Sequence, residues 1–219
     1  MDIVNAIKSR KSIRGFLQKS VPQEIIREIL DVAIRTPSAL NTQPWEFTVL
    51  CGEVLKNIKR DNVENLLSGV PVNNQSGYQG IYKQRSVELA KDIFKLMSIE
   101  REDREKRLEW TLRGFRFFDA PVAIILSTDK SLREDTWAVH DAGAISQTIC
   151  LVAMNYGLGT CIEEQGIVFH DVIKKHTGMS EDKDVIIGIA LGYPDMTFPA
   201  NQLVSRRASV DEVTSWLGF

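Results

Sequence analysis

Basic and hydroxyl residues crowd the start of the chain at Arg10-Lys11-Ser12-Ile13-Arg14, and again near its end at Ser205-Arg206-Arg207. A guanidinium presents a planar fork of N–H donors that matches two phosphate oxygens at once, and a nearby hydroxyl adds another donor. If the two segments meet, Arg10, Lys11, Ser12, Arg14, Ser205, Arg206 and Arg207 form a phosphate pocket. If they stay apart, they are two solvated basic patches, and nothing local in the sequence decides between these readings. A second group, Ser38, Asn41 and Gln43, lies between Pro37 and Pro44-Trp45. Carboxamides offer both donors and an acceptor, which suits the edge of a polar heteroaromatic ring. The same residues equally make a well-bonded turn feeding a strand, with Trp45 in the core.

Other chemistries find little support. The three histidines, His140, His170 and His176, include no i,i+4 pair, and there is no HExxH or paired-cysteine motif. No metal site is expected. GxSxG and GxxxxGK[ST] are absent. Gly157-Leu158-Gly159 begins like a dinucleotide fingerprint, but Ile162 stands where a third glycine belongs and a helical pattern precedes it. Cys51, Cys150 and Cys161 are odd in number and scattered, which fits buried thiols in a reduced compartment.

The elements that must position these residues follow from periodicity. Helices are expected over 2–9, with Asp2 as N-cap, and over 22–36, where Ile25, Ile26, Ile29, Leu30, Ala33 and Ile34 make one apolar stripe. A strand at 46–51 precedes a helix at 52–66 and an irregular polar stretch at 68–80. Helices at 81–98 and 100–113 lead to the strand Val122-Ala123-Ile124-Ile125-Leu126-Ser127-Thr128. A long, nearly uncharged helix at 139–156, a short strand near 160–162, a helix at 168–176, a core strand at 184–193 and a tail helix at 210–216 complete the order. The class is α+β, or loosely α/β, and the economical architecture is a single sheet flanked by helices. The 219 residues suit a single domain, 1–219. With 27 Lys+Arg against 29 Asp+Glu, the net charge of −2 gives no global field for nucleic acid or anionic membrane. Hydrophobic residues at 43% and charged residues at 26% exclude a disordered chain or a rod. No apolar run approaches a membrane span and no signal peptide opens the chain, so a cytoplasmic location is expected.

Five motifs, in order from residue 10 to residue 207, resemble the nitroreductase family of flavoenzymes. Arg10-Lys11-Ser12-Ile13-Arg14-Gly15-Phe16 is similar to its R-x-S-x-R-x-F opening. Residues 36–47, TPSALNTQPWEF, are similar to its A-P-S-x-x-N-x-Q-P-W-x-F loop. The helix ending at Gly157-Leu158-Gly159-Thr160, the strand end Ile189 to Asp195 and the tail Asn201 to Arg207 complete the likeness.

The resemblance implies an α+β fold with a central mixed, mainly antiparallel sheet flanked by helices, a domain-swapped homodimer with one FMN per subunit at the interface, NADH or NADPH as transient donor, and ping-pong hydride transfer through flavin N5. The acceptor would be a nitroaromatic, quinone or similar electron-poor small molecule. Enone reduction, dehalogenation, flavin destruction, a non-catalytic flavin carrier and a ligand-free structural dimer are the alternatives. By this likeness Arg10, Ser12, Arg14 and Arg207 hold the phosphate and ribityl chain, Lys11 adds a backbone contact, and Arg206 is adjacent. Pro37, Ser38 and Ala39 reach the ring from the partner subunit, with Asn41 and Gln43 bracing their loop. Backbone amides at Glu163, Glu164 and Gln165 face the ring's N5 and O4 edge. Two acids there would oppose an anionic reduced flavin, so at least one carboxylate should turn away. The ring-contacting asparagine is sought at Asn73 or Asn74. Residues 68–118 would form a variable lid, with Tyr78, Phe115 and Phe117 (and Tyr82 and Phe118) as a stacking wall and Arg113 and Arg116 attracting a carboxylate or nitro group. Ala142, Gly143, Ala144 and Ala153 would let the long helix approach its partner, and Trp216 and Phe219 would pack on it.

Overall fold

A computed structural model describes residues 2–72 and 77–219. Twelve elements organise them: α1 (Ile3–Ser9), α2 (Gln23–Ala33), β1 (Glu46–Cys51), α3 (Gly52–Leu67), α4 (Gly80–Leu96), α5 (Arg104–Phe115), β2 (Val122–Asp129), α6 (Thr136–Asn155), β3 (Gly159–Glu163), α7 (His170–Thr177), β4 (Lys183–Gly192) and α8 (Val210–Val213). The strands form one sheet in the order β1-β2-β4-β3, and every neighbouring pair is antiparallel. The parallel component among the described residues is a single bridge, Ser12 to Thr160, which lays the N-terminal motif along the edge of β3.

Alternation splits the sheet's two faces between two cores. Val122, Ile124 and Leu126 of β2, with Ile189 and Leu191 of β4, face α2 and α6. Ala123 and Ile125, with Ala190, face the core built with Leu55 and Ile58 of α3, Phe115 of α5 and Ile173 of α7. β2 is thus covered on both sides, which is why it reads as an unbroken apolar run despite antiparallel pairing.

The helix limits show local chemistry overriding periodicity. Asp2 caps α1 by accepting the Asn5 N–H at 3.0 Å. α2 stops at Ala33, short of 36, because the Thr36 hydroxyl donates to the Ala33 carbonyl at 2.7 Å and turns the chain. α5 starts at Arg104, where the Asp103 carboxylate accepts the Lys106 N–H at 3.0 Å. A Ser209/Glu212 capping box starts α8, but Thr214 is already extended, so the helix reaches only Val213.

Between α5 and β2, Phe117, Phe118 and Asp119 all adopt positive φ, 54°, 51° and 59°. Each costs about 1–2 kcal/mol for a residue with a Cβ. Burial of both rings and ion pairs from Asp119 to Arg113 (2.9 Å) and Arg116 (2.8 Å) hold them there.

Candidate functional site

The N-terminal motif leaves α1, bridges to β3 and runs under the loop that follows β4. The Ile13 N–H donates to the Thr160 carbonyl at 2.9 Å, and the Asp195 N–H to the Gly15 carbonyl at 3.0 Å. The chain after β4 then returns through a 3-10 turn at Pro199–Gln202 and delivers residues 203–208 beside residues 10–14. The two basic segments therefore meet. A cavity of about 710 Å³ is lined by Arg10, Lys11, Ser12 and Arg14 from one, by Ser205, Arg206 and Arg207 from the other, and by Ile81, Tyr82 and Arg85 of α4, with Tyr78 just before it. Six cationic side chains face three carboxylates, Glu88, Asp92 and Glu212. In a chain of net charge −2 this is a local excess suited to an anion. Arg207 donates to the Ser205 hydroxyl at 2.8 Å, while Arg206 turns to Asp92 at 3.5 Å. The donor set fits a phosphate monoester.

The junction depends on the residue that opens the tail motif, to which the sequence assigned no role of its own. Asn201 is fully buried. Its Oδ1 accepts the Arg14 N–H at 2.7 Å, and its Nδ2 donates to the carbonyls of Gly15 (2.7 Å) and Asp195 (2.8 Å). From the other side, Arg113 donates to the Arg14 carbonyl at 3.1 Å.

The second predicted group does not line this cavity. The loop carrying Pro37, Ser38 and Ala39 is fastened to α6 by Asp141, a buried carboxylate whose Oδ2 accepts the Ala39 N–H at 3.0 Å. The Ser38 hydroxyl accepts the Gln43 N–H at 2.9 Å, and the Gln43 side chain donates to the Asn41 carbonyl at 3.1 Å. These bonds hold Leu40, Asn41 and Gln43 at positive φ and leave Leu40 99% exposed at the tip. Asp141 had one sequence signal, the lone carboxylate in a nearly uncharged helix.

Glu163 ends β3 with its side chain turned inward. Its Oε2 accepts the Gly166 N–H at 2.9 Å, its Oε1 is buried without a partner, and burial pushes its pKa up to about 8. Glu164 and Gln165 are exposed. The turn is pinned to α3 by Asn62, which donates to the carbonyls of Gly166 (2.7 Å) and Phe115 (3.1 Å). Only glycine fits at 166, because a Cβ there would lie 2.6 Å from Glu163 Oε1 and 2.7 Å from the Phe117 ring.

The expected stacking wall divides. Tyr78 and Tyr82 are 59% and 65% exposed and line the cavity. Phe115 and Phe117 do not, nor does Phe118. The turn into β2 drives all three into the core, where Phe115 packs on Phe169 at 5.8 Å between ring centroids. Arg113 and Arg116 are likewise engaged with Asp119, and Arg116 also with Glu109, rather than free to draw a substrate. Asn73 and Asn74 lie outside the described residues. Tyr78 also lines a second cleft of about 1160 Å³, which holds Glu164 and His170.

Comparison with known proteins agrees with this geometry. The sequence profile described as the nitroreductase family matches residues 7–193. A chloronitrobenzene nitroreductase of Comamonas testosteroni is 32% identical over 98% of this chain and 96% of its own. A 4-nitrobenzoate reductase of Pseudomonas putida is 29% identical over 100% and 96%. Among solved structures, an FMN- and NADPH-dependent nitroreductase from Sphigopyxis sp. strain HMH superposes with a TM-score of 0.94 at 25% identity, covering 100% of both chains. The motifs at residues 10–16, 36–47 and 157–160, the sheet that carries them and the full-length likeness lead to one assignment: this chain belongs to the nitroreductase family.

Proposed function

We propose that this protein is an FMN-dependent oxidoreductase that uses NAD(P)H to reduce nitroaromatics and related electron-poor compounds. The observation that carries the reading is the cavity uniting Arg10, Ser12 and Arg14 with Ser205 and Arg207. Bound FMN supplies two-electron redox chemistry that no side chain here can perform. In the overall reaction one NAD(P)H and one proton convert a nitro group to a nitroso group and release water. The chain's own part is binding and orientation. Arg10, Arg14 and Arg207 neutralise the phosphate, Ser12 and Ser205 donate to it, and Lys11 contributes at its backbone. The pinned turn at Glu163, Glu164 and Gln165 offers backbone amides toward the ring's polar edge. Its protonated Glu163 adds no charge there, and Glu164 is free to face water. Tyr78 and Tyr82 offer flat faces over the cavity mouth, so α4 and the residues just before it act as the variable wall of the site.

We also read the working form as a homodimer. β1 is an outer strand with no partner on one side among the described residues, and such an edge is usually covered. The extended tail beyond α8 exposes Trp216 at 62%, Leu217 at 85% and Phe219 at 102%. Ile3, Val4 and Ile7 of α1, Leu40 of the loop and Trp137 of α6 are also exposed. Large apolar surface of this kind belongs in an interface. A second copy would bring Pro37, Ser38 and Ala39, with their brace Asn41 and Gln43, to a neighbouring cavity. No described helix is long and apolar enough to cross a membrane, and we place the protein in the cytoplasm.

The test is FMN titration followed by anaerobic addition of NADH or NADPH. Flavin absorbance that bleaches, and returns when a nitroaromatic is added, is the expected result. No flavin binding would overturn the reading.

A further inference from the structure

The backbone of Arg14 is gripped on both sides by side chains from distant parts of the chain. Its N–H donates to Asn201, 187 positions away, and its carbonyl accepts from Arg113, 99 positions away. Asn201 is fully buried, and its carboxamide spends one acceptor and both donors on three backbone groups in two segments, Arg14-Gly15 and Asp195. No other side chain of that size supplies this set, since aspartate lacks the donors and glutamine is one methylene longer. Arg113 is held in turn by Asp119 and stacks 4.6 Å from the ring of Phe198. That ring covers Gly15 so closely that a Cβ there would lie 2.3 Å from it. The peptide units on both sides of Arg14 are therefore each tied by a side chain.

We propose that Asn201 and Arg113 are positioning residues that clamp Arg14 for phosphate recognition and so make the protein select FMN over riboflavin. The inference rests on the proposed FMN site and deepens it. Asn201 acts twice, because it fixes the direction of Arg14 and also anchors the turn from which Ser205 and Arg207 emerge four and six residues later. Loss of either clamp should misplace the guanidinium relative to phosphate while leaving the ring contacts untouched.

The experiment measures the affinities of FMN and riboflavin, by quenching of flavin fluorescence, for the wild type, Asn201→Ala, Arg113→Lys and the double variant. Arg113→Lys keeps the charge but loses the planar fork and the stacking surface. Each variant should weaken FMN about ten-fold, as for loss of a buried hydrogen bond worth roughly 1.4 kcal/mol, with riboflavin changed less than about two-fold. The double variant should lose less than the product of the singles, because the two side chains hold the peptide units on either side of one α-carbon. If Asn201→Ala fails to fold, Arg113→Lys carries the test. Parallel loss of both flavins would reduce the clamp to general structure, and unchanged FMN affinity in a folded variant would also overturn it. A wild type that holds FMN no tighter than riboflavin would instead remove the phosphate pocket itself, a failure distinguishable from that of the clamp.

Discussion

The cavity at residues 10–14 and the loop at 37–43 carry comparable polar residues, yet they are held in opposite ways. The first is tied across the whole chain, by Asn201 and Arg113, and both of its basic segments come from one chain. The second is bonded to itself and to Asp141, and its tip faces solvent. Long-range ties make a pocket that can bind unaided. Local ties make a stiff projection that gains meaning only against another surface. The phosphate end should therefore survive dissociation of a dimer, and the 37–43 end should not.

The largest effects are expected on the intramolecular side. Glu163 has a folded pKa of about 8 against an ordinary 4.5. A raised folded value favours the native state most below the unfolded pKa, and that benefit is lost as pH rises from about 4.5 to about 8. Glu163→Gln should flatten this dependence, a difference on the order of a few kcal/mol by pH 8, read from urea unfolding at several pH values. A mutant curve parallel to the wild type would mean that Glu163 is not neutral at rest. Next, Arg14→Ala or Arg207→Ala should weaken FMN by roughly 1.5–3 kcal/mol in a binding titration. Equal affinity in both variants would dissolve the contrast, because the first pocket would then be no better formed than the loop.

On the other side, Trp216→Ala should weaken self-association by about 2 kcal/mol, as for an aromatic anchor, seen as a shift toward single-chain mass at low concentration in sedimentation. FMN should still bind the dissociated form through its phosphate, with lower affinity. The smallest effect belongs to Asp141→Ala. It frees the Ala39 N–H and should cost about 1–2 kcal/mol of stability while raising protease cleavage at Leu40. Cleavage unchanged from wild type would show that the loop holds itself.

Regular elements were legible where periodicity was strong. The strand at 46–51 was found to the residue, and the apolar run of β2 gave its burial on both faces. Helix ends were less legible because single side chains set them. Thr36 ended α2 early, and the extended Thr214 cut α8 to Val213. Site chemistry was legible in the arginine and serine types and their spacing, but the meeting of the two ends was not. That meeting depends on Asn201, and in sequence a buried asparagine looks like any asparagine in a loop. Phe115 and Phe117 were misread for the converse reason. Aromatic residues in a lid region look like ligand contacts until the turn at 117–119 shows that they point inward.

That turn also governs how the enzyme can change over generations. Three successive left-handed residues are costly for any side chain with a Cβ, and replacing Asp119 would remove an ion-pair partner from both Arg113 and Arg116. α4 lines the cavity with the exposed side chains of Ile81, Tyr82 and Arg85, and its own ties run from Gln84 to Glu88 at 3.0 Å and from Asp92 to Arg206 at 3.5 Å. New substrates should thus be acquired through drift on α4, while the segment from 113 to 119 stays fixed as the packing behind the Arg14 backbone.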